Sequence, residues 1–239
     1  MKIHYSLLIA ILMLCRSCSE SLTAEQVLQK SITYHDPEDR WPVFQDSLKI
    51  LLETPDAPKR ISRIYIDNQS GLFYVKATRD SSIVEFAVGK DSCTVKWNGS
   101  NQFSKTEADE NGLNCERAKM YRNYYSYLYG LPMKLMDPGT RLSEEFEVRT
   151  FKGKDYQVLR VDYKAEVGSD IWYFYFDPQT YAMEVYQFYR SDENGQLKED
   201  TGEYILLSGE EEIGGIRMPK TRAWYYNKDD KYLGTDILN

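Results

Sequence analysis

Histidine is nearly missing from this chain: His4 and His35 are the only two among 239 residues. That excludes a His-rich metal site, and no HExxH is present. Cysteine is scarce too. Of four, the two in the body of the chain, Cys93 and Cys115, have neither CxxC spacing nor companion histidines for zinc. Signatures of nucleophilic and phosphate chemistry are absent, with no GxSxG, no GxxxxGK(S/T) and no GxGxxG, so no cofactor is expected. There is no basic excess: 30 Lys and Arg face 37 Asp and Glu, a formal charge of −7. Nucleic acid or an anionic headgroup layer would be repelled overall, so no nucleic-acid partner is expected. No apolar run approaches the ~20 residues of a membrane span.

The N-terminus is the most informative stretch that is present. Met1-Lys2 leads into an apolar run over 7–14, followed by Cys15-Arg16-Ser17-Cys18-Ser19-Glu20. A basic start, a short apolar stretch and a small residue before the break make a secretory signal. Because the break falls at cysteines, the segment resembles a bacterial lipoprotein signal, in which the cleavage-site Cys is acylated and becomes the new N-terminus. Cys18 is the expected lipidated residue, since Ser17 before it is small and Leu14 before Cys15 is not. Cys15, or plain secretion to the periplasm, is the alternative. The expected organisation is a leader over 1–18, a tether over 19–22 and one domain over 23–239. The expected location is the cell envelope, anchored at the outer membrane on its periplasmic or surface face. Losing Lys2 and Arg16 with the leader, and no acid, takes the charge from −7 to −9. In an oxidising compartment Cys93 and Cys115 can form one disulfide or remain two buried thiols, and the spacing leaves both open.

Past the tether, helix and strand patterns separate cleanly. Thr23 followed by Gln26 matches a capping box, and Ala24, Val27, Leu28, Ser31 and Ile32 recur at helical spacing, predicting a helix over 23–34. Asp36-Pro37 stops it. Strands are predicted over 46–53, 61–67, 72–78, 82–88 and 92–97, the spacing of an antiparallel meander. A charged stretch over 105–114 leads to a second helix over 115–129, ended by Gly130 and Pro132. Further strands are predicted over 145–151, 156–163, 170–176, 181–190, 203–207, 216–226 and 232–237. No linker, repeat or low-complexity segment interrupts the chain, which reads as one α+β domain dominated by antiparallel strands.

The second meander has a recognisable order: a strand, Asp177-Pro178-Gln179-Thr180, two strands, then Gly215-Ile216-Arg217-Met218-Pro219-Lys220 opening another. This resembles the LolA/LolB-like lipoprotein-carrier superfamily, most clearly over 140–226. Three further segments are similar to an uncharacterised group of such outer-membrane lipoproteins: Tyr34-His35-Asp36-Pro37 with Trp41, Tyr127 through Lys134 with Asp137-Pro138-Gly139, and Val167-Gly168-Ser169-Asp170 with Trp172. The resemblance implies a strongly bent antiparallel sheet, a half-open barrel, with helices covering its concave face. Such a shape encloses a cavity lined from both layers.

Candidate site residues follow from that shape. The aromatic second helix and the turn after it supply Tyr121, Tyr125, Leu128 and Met133 as apolar candidates, with Trp172 from an aromatic strand. His35, Lys134 and Asp170 are the polar candidates. His35 lies at a helix C-terminus, where a protonated imidazole interacts favourably with the dipole. Lys134 is placed to satisfy the helix end or a carboxylate, Asp137 or Asp170. Glu144-Glu145 and Glu210-Glu211-Glu212 read as solvated turns or strand ends. The leading expectation is an envelope protein that binds or shuttles a hydrophobic ligand: an acyl chain, a lipoprotein's lipid or a small amphiphile. The alternative is an interaction module with a self-filled cavity that contacts another envelope protein. An enzyme acting through His35-Asp36 or paired carboxylates is third, because no catalytic motif supports it.

Overall fold

A computed structural model describes residues 22–239. The expected leader, with Cys15 and Cys18, and most of the tether lie outside the described residues.

Helix α1 (Ala24–His35) starts at the capping box: Gln26 donates its amide to Thr23 Oγ1 at 3.2 Å, and the Thr23 amide returns to Gln26 Oε1 at 2.9 Å. It buries Ala24, Val27, Leu28, Ser31 and His35. Asp36 then turns the chain, its carboxylate accepting from the Arg40 and Trp41 amides at 2.7 and 2.8 Å. The first meander is β1 (Gln45–Thr54), β2 (Ala57–Asp67), β3 (Leu72–Arg79), β4 (Ser82–Val88) and β5 (Cys93–Trp97). Helices α2 (Lys105–Asn111) and α3 (Cys115–Tyr129) follow. The second meander is β6 (Thr140–Leu142), β7 (Glu147–Phe151), β8 (Lys154–Tyr163), β9 (Ile171–Phe176), β10 (Met183–Tyr189), β11 (Glu203–Ile213), β12 (Ile216–Tyr226) and β13 (Tyr232–Leu238).

All thirteen strands join one antiparallel sheet in the order β5-β4-β3-β2-β1-β13-β12-β11-β10-β9-β8-β6, with β7 also on β8. The first and last strands meet in its middle, Ile50 opposite Leu238, and stitch the meanders together. The sheet stays unclosed, with β5 at one edge and β6 and β7 at the other. Alternation decides which face is covered. Leu48, Ile50, Ile64, Ile66, Phe73, Val75, Phe86 and Val88 share one core with the buried faces of α1 and α3. This is the bent half-barrel with helices over its concave side.

Strand β9 is apolar on both faces. Phe174 and Phe176 join the main core, whereas Ile171, Tyr173 and Tyr175 form a smaller cluster with Tyr156, Val158 and Val185. The rest of the chain covers that second cluster: Phe151 packs on it, and Arg149 lies 4.2 Å over the Tyr173 ring.

The structure departs from the predicted elements in three places. The charged stretch over 105–114 contains a helix, α2, because Ser104 and Glu107 form a second capping box. Strand β11 runs on through polar residues to Ile213, where Gly214 and Gly215, both at positive φ, make the two-residue turn into β12. A short strand, β6, was not predicted, since its three residues carry no period.

Cys93 and Cys115 are bonded, with Cα atoms 6.0 Å apart, tying the first residue of α3 to the edge strand β5. Closing that loop stabilises the fold by about 3 kcal/mol on the chain-entropy scale. Urea unfolding with and without reductant is therefore expected to differ by about that amount, and a Cys93→Ser, Cys115→Ser double variant should lose its sensitivity to reductant.

Candidate functional site

Polar and aromatic groups gather around α3. Asn114 caps it, Oδ1 accepting from the Arg117 amide at 2.8 Å, and Gly130 ends it. Gly130 must be glycine for space, because a Cβ there would lie 2.2 Å from the Trp41 ring. The helix periodicity sends Ala118, Tyr125, Leu128 and Tyr129 into the concave face, where all are buried. Tyr125 stacks on Phe73 with centroids 6.3 Å apart, donates to Ser62 Oγ at 3.3 Å and accepts from Arg60 at 3.2 Å.

Below these rings one cross-strand row carries charge: Arg60 on β2, Leu52 on β1, Asp236 on β13 and Arg222 on β12. Arg222 is only 1% exposed; it donates to Pro219 O at 3.0 Å and lies 3.9 Å over the Tyr129 ring. Burial pushes the Asp236 carboxyl above the usual range, against the pull of Arg222 and Arg60.

The main opening lies along the other side of α3. It is a cleft of about 700 Å³ between α3, the short turn Met133–Met136, the loop before β9, and β8 and β9. Tyr124, Tyr127, Tyr163, Val167 and Trp172 form its apolar wall, and Arg122, Lys134, Asp137, Glu166 and Asp170 its polar groups. The Trp172 ring packs on Tyr127 at 5.7 Å and on Phe188 at 4.8 Å, which fixes its orientation. The Tyr127 and Tyr163 hydroxyls bond each other. Burial raises Tyr127 well above the usual phenol range and Tyr163 to about 12, so both stay neutral. Burial also raises the Asp170 carboxyl, with Arg190 opposing. Lys134 pairs with Asp137. The aromatic wall is therefore uncharged, and the groups beside it in the cleft carry charges of both signs.

The predicted site residues divide between places. Lys134, Asp170 and Trp172 come together in the cleft. Tyr121 lines a different hollow, on the far side of α3. Tyr125 and Leu128 are in the core because the helical period turns them toward the sheet, and Met133 joins them from the short turn after α3. His35 lies in the α1 region, where Nδ1 donates to Arg217 O at 2.7 Å and Nε2 accepts from the Met183 amide at 3.0 Å. The expected protonated imidazole is thus corrected: an accepting Nε2 requires the neutral ring, and burial lowers its pKa below 6.5. Of the two proposed partners for Lys134, Asp137 is the one it meets. The sequence reading missed Tyr163 and Glu166. Tyr163 ends a strand whose alternation gave a signal; Glu166, in an irregular loop, gave none.

An unclosed antiparallel sheet with helices on its concave face and a cleft at a helix edge make a LolA-like α+β fold. The chain belongs to the family of unknown function DUF6503, which it matches over residues 2–238. Among solved structures it is similar to a LolA-superfamily protein from Nitrosomonas europaea, at 10% identity and a TM-score of 0.50 over 92% of each chain. It is also similar to a DUF1329-family protein from Desulfovibrio piger, at 12% identity and a TM-score of 0.46 over 90% of each chain. No curated protein matches its sequence.

Proposed function

We propose that the protein holds a hydrophobic or amphiphilic ligand at the cell envelope, its apolar part against the aromatic wall of the α3 cleft. The cleft itself carries this reading: about 700 Å³, within the range of small-molecule sites, with an aromatic wall and charged groups of both signs beside it. Burying the ligand would contribute roughly 25 cal/mol per Å² of apolar surface, with Lys134, Arg122 and Asp170 positioned to orient a headgroup. Acylation at Cys18, supported by the leader pattern, would hold the domain at the outer membrane.

Native mass spectrometry of the full chain, followed by organic extraction, tests this proposal. A stoichiometric lipid is the expected result; an empty protein that also rejects fluorescent fatty acid would overturn it. Val167 is 55% exposed at the cleft, so Val167→Asp should keep the fold while placing a charge in the apolar path. Affinity for fluorescent fatty acid is expected to fall at least tenfold, about 1.4 kcal/mol.

One observation favours the second reading, an interaction module for another envelope protein. Tyr125, Leu128 and Tyr129 fill the centre of the concave face. Under that reading the native protein binds no hydrophobic dye, and the exposed Tyr124 and Met120 would belong to a partner surface.

A further inference from the structure

We propose that the protein binds a phosphoryl oxyanion in a second hollow, between α3, the end of α2 and strands β2 to β4. This site is separate from the α3 cleft and does not rest on the amphiphile reading. The hollow holds about 230 Å³, and its polar lining is Arg60, Arg79, Arg117, Ser82, Asn111 and Tyr121.

Strand register builds its floor. Arg60 on β2 lies directly opposite Arg79 on β3, and Arg79 directly opposite Ser82 on β4. Like charges opposed in this way destabilise an antiparallel pair. Nothing in the hollow offsets them, for no Asp or Glu lines it. Arg117 brings a third guanidinium from the first turns of α3, lying 5.6 Å over the Tyr121 ring. The Cys93–Cys115 bond sits two residues before Arg117 and fixes that turn over the sheet.

Among the described residues none of the three arginines forms an ion pair. Arg60 Nε is buried and makes no hydrogen bond. In a chain of net charge −7, three guanidiniums lining one hollow that holds no carboxylate are out of keeping with the rest of the molecule; Asp236, the carboxylate that draws on Arg60, lies outside that hollow. A tetrahedral oxyanion satisfies them: the planar guanidinium fork matches phosphate oxygens two at a time. Ser82 Oγ accepts from Trp97 Nε1 at 3.2 Å, so its own proton is available to donate. Ala77 and Ser82 are small, which leaves the room; the hollow is several times the roughly 30 Å³ of a water molecule. The oxyanion can come from free phosphate or from the headgroup of a lipid.

Isothermal titration of the full chain at low salt, with inorganic phosphate and separately with dioctanoyl phosphatidic acid, tests the site. Arg79 and Arg117 are exposed, so Arg79→Gln and Arg117→Gln should fold, as melting temperatures would verify. Each is expected to weaken binding at least tenfold, whereas Arg63→Gln, exposed on the opposite face of β2, leaves it unchanged. Saturation by inorganic phosphate assigns the free ion, and saturation by phosphatidic acid alone assigns a lipid headgroup. No saturable binding of either probe, or equal binding by wild type, Arg79→Gln and Arg117→Gln, would overturn the proposal.

Discussion

Tyr125→Ala is expected to cost about 4 kcal/mol of stability, the range of fully buried aromatic truncations. The side chain is 0% exposed and its ring meets Phe73, Tyr121, Tyr124 and Tyr129, so its loss opens a cavity where α3 meets the sheet. The hydroxyl also links Arg60 and Ser62, and removing it leaves a guanidinium of the charged row less satisfied. Tyr125→Phe separates the two contributions, with an expected loss of about 1 kcal/mol. Equilibrium urea unfolding of both variants is the measurement. A loss under ~1 kcal/mol for Tyr125→Ala would mean that α3 is not seated as described. Ligand affinity of any folded fraction should change little, since Tyr125 does not line the cleft.

His35→Ala should be nearly as damaging, at about 3 kcal/mol, because it orphans two backbone groups at once. The ring bridges the Arg217 carbonyl on β12 and the Met183 amide on β10, pinning the end of α1 to strands that flank β11. Its pH signature distinguishes this role from a dipole contact. Burial lowers the folded pKa below the ordinary 6.5. Above 6.5 the ring is neutral in both states and its contribution is complete. Below 6.5 the unfolded chain takes up a proton that the native ring resists, so this contribution is lost as pH falls toward the folded value. The stability gap between wild type and His35→Ala should therefore shrink between pH 7 and pH 5 in parallel urea titrations. A gap that widens on acidification would restore the protonated imidazole.

Both residues show where sequence reasoning stopped. Tyr125 and His35 were identifiable as residues on helix faces, because the 3.6-residue period assigns a face to each position. What that face meets is not a local property. Tyr127 and Tyr125 are two residues apart on one helix, yet one lines the cleft and the other fills the core. Composition cannot separate them, because tyrosine suits either environment.

Strand and helix positions were largely legible, since alternation, capping residues and Gly or Asp-Pro turns act over a few neighbours. Helix α2 was legible as well, in Ser104 and Glu107 three residues on, but its charged surroundings masked it. The resemblance carried the half-barrel topology, which periodicity alone does not specify.

The sequence by itself determined the acidic charge, the order of helices and strands, and an α+β class, because these depend on local chemistry and spacing. Tertiary structure alone decided that Cys93 meets Cys115, that Lys134 joins Trp172 and Asp170, and that Arg60 faces Arg79. Those pairs lie apart in the chain, and only the pairing of strands and the seating of α3 on a bent sheet bring them together.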